Sequence, residues 1–101
     1  MKTSTIKKRF ESNKKNINGI ARKVIMTLLG KDENWFVKDG IIRSCWTSGR
    51  GRYTSNMNYT QSICDALDIL RIRYTIGNDA PRGGECGTFI KLITKIINDN
   101  N

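Results

Sequence analysis

The clearest periodic signal in the chain is the run Ile17, Ile20, Ala21, Val24, Ile25 and Leu28, at i, i+3, i+4, i+7, i+8 and i+11. That spacing puts six apolar side chains on one stripe of an α-helix, with Lys15, Asn18, Arg22 and Lys23 on the opposite face. Ahead of it, Ile6, Phe10 and Ile17 lie near one face of a first helical stretch that Thr3 or Ser4 is suited to cap. Lys14-Lys15-Asn16 fits either a continuous helix or a break between two helices. In a continuous helix Glu11 and Lys15 form a favourable i,i+4 pair, and Gly19 weakens the helix by up to ~1 kcal/mol relative to alanine. Gly30 is a natural stop.

The period then shortens. Trp35-Phe36-Val37 and Ile41 through Trp46 read as short strands, joined across Lys38-Asp39-Gly40, because Asp-Gly favours the left-handed backbone of tight hairpin turns. Ser48-Gly49-Arg50-Gly51 interrupts the pattern, and Arg52-Tyr53-Thr54 reads as a further strand or a loop. Asn58, with Gln61 three residues on, has the form of a capping box. Ile63, Ala66, Leu67 and Leu70 follow as a second helical stripe. Ile72, Tyr74 and Ile76 alternate with Arg71, Arg73 and Thr75, as in a half-buried strand. Residues 77–87 form a loop, and a last strand runs from Thr88 to about Thr94 with Ile90 and Leu92 toward the core. The segment from Lys95 closes as a short helix or frays.

The predicted fold is α+β, a small antiparallel sheet packed against two main helices in the order α-β-β-(β)-α-β-β. Residues 1–97 are expected to form one small basic domain and 98–101 a flexible tail. A length of 101 residues suits one core, and 38% hydrophobic residues imply a modest stability margin. Bunched, periodic apolar residues and a single proline argue against disorder.

Charge changes the picture more than composition does. The formal net charge is +9. Nine basic residues (Lys2, Lys7, Lys8, Arg9, Lys14, Lys15, Arg22, Lys23, Lys31) lie within the first 31 positions, opposed only by Glu11, while the remainder is almost balanced. A localised positive field attracts a polyanion, an anionic membrane or an acidic protein patch. No apolar run approaches membrane-spanning length, so no membrane partner is expected. The basic N-terminus has no apolar stretch of secretory-signal type after it. Cys45, Cys64 and Cys86 are odd in number and widely spaced, a poor disulfide framework and, with no histidine in the chain, a poor metal site. Reduced thiols and a cytoplasmic location, in a cell or in the host cell of a virus, are the expectation. No cofactor or metal is expected.

Three segments carry candidate chemistry. Lys7, Lys8, Lys14, Lys15, Arg22 and Lys23 sit on or beside a helical surface that need not enter the core, as phosphate contacts require. Arg43, Arg50, Arg52 and Tyr53 flank or occupy a glycine-interleaved stretch in which arginine grips phosphates, Tyr offers a stacking face and glycine lets the backbone approach. The third is the loop Asn78, Asp79, Arg82, Gly83 and Gly84, where paired glycines suit an anion nest beside an arginine, or Asp79 caps a turn around Pro81. Neither a phosphate-binding P-loop nor a dinucleotide fingerprint is present. The absence of histidine removes histidine-based triads and general bases. The expectation is therefore a non-enzymatic nucleic-acid-binding accessory or regulatory protein. The first alternative is a basic regulator or inhibitor docking on an acidic protein surface. The second is a metal-dependent nuclease using Asp79 and Glu85. Cys45 and Cys64 read as small core residues. Homodimerisation is left open.

Overall fold

The computed structural model of the chain describes residues 1–30, 37–48, 55–81, 83 and 87–99. They form a small α+β fold. Helix α1 spans Thr3–Ser12, a 3-10 turn follows at Lys14–Asn16, and α2 spans Gly19–Leu28. Strands β1 (Val37–Lys38), β2 (Ile41–Arg43), β3 (Cys45–Ser48) and β4 (Ser55–Asn58) precede α3 (Thr60–Ile69), and β5 (Tyr74–Asn78) and β6 (Thr88–Leu92) complete the order. One antiparallel sheet has the order β1-β2-β6-β5, and β3 and β4 pair separately. The two expected helical regions thus become three helices, and the expected single sheet becomes two.

The N-terminal region breaks rather than continuing as one helix. Ile17 is fully buried but sits in extended backbone before α2, and Gly19 opens that helix at φ +56°, a left-handed conformation that glycine adopts without strain. Gly19 is therefore a corner residue, not an interior weakness of the helix. The break also separates Glu11 from Lys15, and the i,i+4 pair expected of a continuous helix is not among the ion pairs of the described residues. The core stripe of this region is Ile17, Ala21, Val24, Ile25 and Leu29.

Neither Thr3 nor Ser4 caps α1 in the usual way. Lys2 holds the N-cap position and makes no side-chain cap bond. The cap comes instead from the far end of the chain. The Asp99 carboxylate accepts from the Ser4 N–H at 2.9 Å, from the Thr3 hydroxyl at 2.8 Å and from the Ser4 hydroxyl. An anion there satisfies orphan donors and complements the positive end of the helix dipole. The segment before Asp99 lies beside the N-terminus as a parallel bridge, Lys2 with Ile97, with Thr3 N–H to Ile97 C=O and Ile97 N–H to Met1 C=O both at 2.9 Å.

The stretch Ile41–Trp46 divides at Ser44. Before it the chain pairs with β6, and after it with β4. Ser44 is fully buried and fully engaged: its carbonyl accepts from Tyr59 N–H at 2.7 Å and its hydroxyl meets that of Thr60 at 2.7 Å. A buried corner needs such partners because its backbone leaves both ladders. Tyr59, not Asn58, holds the N-cap position of α3; Asn58, one residue earlier, accepts from Thr60 N–H at 3.0 Å, and Gln61 donates forward to Asp65 at 2.8 Å and closes no box.

In the main sheet Ile42 pairs with Ile90, and Ile90 with Ile76. Ile42 and Ile90 are fully buried in one cluster with Ile6, Phe10, Val24, Ile25, Ile63 and Leu67, so all three helices cover this face. Ile76 shares the row but is 56% exposed, contrary to its expected core position. It lies on the edge strand, while α3 packs against β6.

Candidate nucleic-acid interface

The turn between α1 and α2 gathers the N-terminal charge. Asn13 ends α1, donating its amide to Arg9 C=O at 2.8 Å. Arg22, one turn into α2, reaches back: its Nε donates to Ile17 C=O at 3.0 Å and its Nη2 to Lys14 C=O at 2.8 Å. The guanidinium fork thereby fixes the 3-10 turn that carries Lys14 and Lys15. Lys7, Lys8, Lys14, Lys15 and Lys23 are all exposed. Among the described residues, none of these lysines is ion-paired.

Two depressions adjoin this turn and share Glu11, Lys14 and Arg22. One, of about 280 Å³, lies between the helices with Lys7 on its wall and Phe10, Met26 and Leu29 also lining it. The other adds Asn13, Lys15 and Asn16, which supply amide donors and acceptors beside the cations. Among the described residues, Glu11 is the sole acid lining either one. Several ammonium groups, a partly held guanidinium and amides around an open, shallow surface suit a chain of phosphates. An enclosed small-molecule pocket has a different form.

Arg9 belongs to the same basic segment but turns inward. Its Nη1 donates to Leu70 C=O at 3.0 Å, a cation on the last carbonyl of α3. Sequence spacing alone does not separate this bracing arginine from the lysines around it.

The second candidate cluster lies on the other side of the sheet. Arg43 and Phe89 are paired positions, as are Phe89 and Gly77, and by the pleat they face away from the Ile42–Ile90 row. The Arg43 guanidinium bonds Asp79 at 2.7 Å and lies 5.4 Å from the Phe89 ring centre. Each charge favours the other: Arg43 holds the Asp79 carboxyl below its ordinary range, and Asp79 raises Arg43. Arg43 is therefore locally neutralised and is not gathered with the lysines of the helical turn. The ring of Phe89 lies so close over Gly77 that a β-carbon there would sit 2.6 Å from its Cζ.

The loop is shorter than the eleven-residue expectation at its N-terminal end, while β6 begins at Thr88 as expected. Strand β5 runs to Asn78, and Asp79 N–H still bonds Gly87 C=O at 3.1 Å. Beside Pro81 the Asn78 side chain accepts from Ala80 N–H at 2.9 Å. Gly83 has φ +66° and donates to Ala80 C=O at 3.0 Å. Arg50, Arg52, Tyr53, Arg82, Gly84, Glu85 and Cys86 lie outside the described residues.

The remaining chemistry is structural. Cys45 and Cys64 are buried, and burial pushes the Cys64 thiol up, so it stays protonated at neutral pH. Tyr74 hydrogen-bonds Asp68 and Cys64, and burial raises its phenol well above the usual range. Trp46 is half-buried, with its ring 5.2 Å from that of Tyr59 against the core. Among the described residues there is no group of three metal-ligating side chains, and no helix is long and apolar enough to cross a membrane. No protein-family model, curated protein or solved structure matches the chain.

Proposed function

We propose that the protein is a non-enzymatic nucleic-acid-binding accessory or regulatory protein, and that the turn between α1 and α2 is its phosphate-contacting surface. The observation that carries this reading is the set of exposed lysines Lys7, Lys14 and Lys15, with Arg22, around two adjoining depressions where Glu11 is the only acid among the described residues. Lys8 and Lys23 extend the same field along the helices. Such a surface binds backbone phosphates with little regard to sequence, because each contact is a point charge rather than a base-edge hydrogen bond. Arg50, Arg52, Tyr53 and Arg82 are proposed to add a groove or base contact. Arg43 contributes less, because Asp79 already meets its charge. The test is fluorescence anisotropy with labelled single- and double-stranded DNA and RNA, comparing the parent with Lys14→Glu/Lys15→Glu. Loss of binding in the variant supports the reading, and absence of parental binding to every form at low salt refutes it.

One observation favours a second reading, docking on an acidic protein surface. Phe10, Met26 and Leu29 line the smaller depression and provide an apolar socket that a phosphate chain does not use. Met26→Gln discriminates the two, since it removes an apolar anchor yet adds no charge and leaves every lysine in place. The nuclease alternative predicts magnesium-dependent cleavage that is lost in Asp79→Ala.

A further inference from the structure

Among the described residues strand β5 forms one outer edge of the main sheet, and its composition is unusual for an exposed edge. Tyr74, Thr75, Ile76, Gly77 and Asn78 include no charge and no proline, the two commonest devices that keep edges apart. Ile76, at the centre of the strand, is 56% exposed.

The direction of the backbone groups follows from two bonds at the ends of the strand. Arg73 C=O accepts from Ile93 N–H at 2.8 Å, and Asp79 N–H donates to Gly87 C=O at 3.1 Å. Both residues therefore turn their backbone toward β6. In an antiparallel ladder this alternates, so Thr75 and Gly77 also face β6, while the N–H and C=O of Tyr74 and Ile76 point to the open edge.

We propose that β5 pairs antiparallel with β5 of a second copy of this chain about a two-fold axis at Ile76, giving a continuous eight-stranded sheet. The register is set by two independent features. With the axis at Ile76, the outward-facing backbone groups of Ile76 meet those of Ile76 of the second copy as a hydrogen-bonded pair, with Cα atoms about 5.5 Å apart. The two exposed isoleucine side chains then cover each other on the same sheet face. Arg73 and Asp79 each lie three residues from Ile76, so the same axis sets Arg73 directly opposite Asp79 of the second copy, twice per dimer, where the carboxylate that holds Arg43 through Oδ2 is shared between the two cations. Arg73 is exposed, and both side chains lie on the sheet face away from the helices. A shift of one residue loses the backbone match, and a shift of two separates the opposite charges. The interface is self-complementary, as a closed two-fold dimer requires. It shares no residue with the lysine-rich turn, so it neither depends on nor explains the proposed nucleic-acid contact.

Sedimentation velocity of the full chain, with nucleic acid removed, tests this against variants checked for folding by circular dichroism. The parent is expected at twice the 11.5 kDa of one chain. Ile76→Lys, at a position already exposed in the monomer, is expected to give monomer. Arg73→Asp sets like charges opposite each other and weakens the dimer at least tenfold, and Arg73→Asp/Asp79→Arg, made with Arg43→Gln so that no second cation lies beside position 79, restores it with the charges exchanged. A parent that stays monomeric up to about 0.1 mM, where an interface with a Kd of that order is half assembled, overturns the proposal. So does a dimer that survives Ile76→Lys, or folded charge-exchanged protein that fails to recover association.

Discussion

Neutralising Lys14 and Lys15 together should change how binding depends on salt, not only how tight it is. Five lysines, Lys7, Lys8, Lys14, Lys15 and Lys23, are exposed along α1, the 3-10 turn and α2. If each neutralises one phosphate of duplex DNA, the logarithm of the association constant falls against that of salt with a slope of about −4.5. Between about 50 and about 200 mM salt the affinity then drops roughly 500-fold. Lys14→Gln/Lys15→Gln leaves three contacts, a slope of about −2.7 and a drop of roughly 40-fold over the same range. The fold should tolerate the change, because both side chains are exposed and Arg22 holds this turn through the Lys14 carbonyl, which the variant keeps. Anisotropy titrations at four or more salt concentrations read both slopes. A parental slope shallower than about −1, or an identical slope in parent and variant, refutes the assignment of phosphate contacts to this turn.

Asp99 caps α1 from 95 residues beyond Ser4, and its carboxyl is held down to about 2, first by the Ser4 hydroxyl and then by the Ser4 N–H and the Thr3 hydroxyl. A depressed carboxyl contributes stability that is full above its unfolded value of about 3.9 and is lost as pH falls toward 2. Asp99→Asn should therefore lower the thermal midpoint at pH 7, with the gap to the parent closing by about pH 2; a gap that is constant with pH contradicts the capping role. Leu67 is fully buried in the cluster joining helices and sheet, so Leu67→Ala should cost about 2–5 kcal/mol in urea unfolding, and a loss below about 1 kcal/mol would show that the site is not packed as described. Gly77→Ala forces the Phe89 ring aside and should cost about 1–3 kcal/mol, most of it absent in a Phe89→Ala background, so additive effects in that cycle would contradict the contact.

Much of the architecture is legible in the chain because it follows from local rules. The α2 and α3 stripes, the Asp39-Gly40 hairpin and the core placement of Ile90 arise from periodicity and turn chemistry within a few residues. The localisation of basic residues to the first third is likewise visible without a structure, since charge is additive along the sequence. Strand β4, Ser-Asn-Met-Asn, is invisible to the same rules: its polar residues carry no strand pattern, and it forms by pairing with β3. Ile76 fails for the opposite reason. Alternation marks it correctly as a strand residue on the core-side row, but burial depends on whether a helix reaches that far across the sheet.

The α+β class, the main helices and the concentration of positive charge are readable from the chain alone, because these depend on short-range periodicity and on simple counting. Which cations remain outward depends on how distant parts of the chain come together in the fold. Arg9 braces the end of α3, Arg22 ties the turn at Lys14, and Arg43 is matched by Asp79, while Lys7, Lys14 and Lys15 stay exposed. The fold likewise brings Asp99 to cap α1 and, among the described residues, leaves β5 as an open edge. Each of these rests on groups far apart in the chain meeting at hydrogen-bond distance, and no local pattern encodes such a meeting.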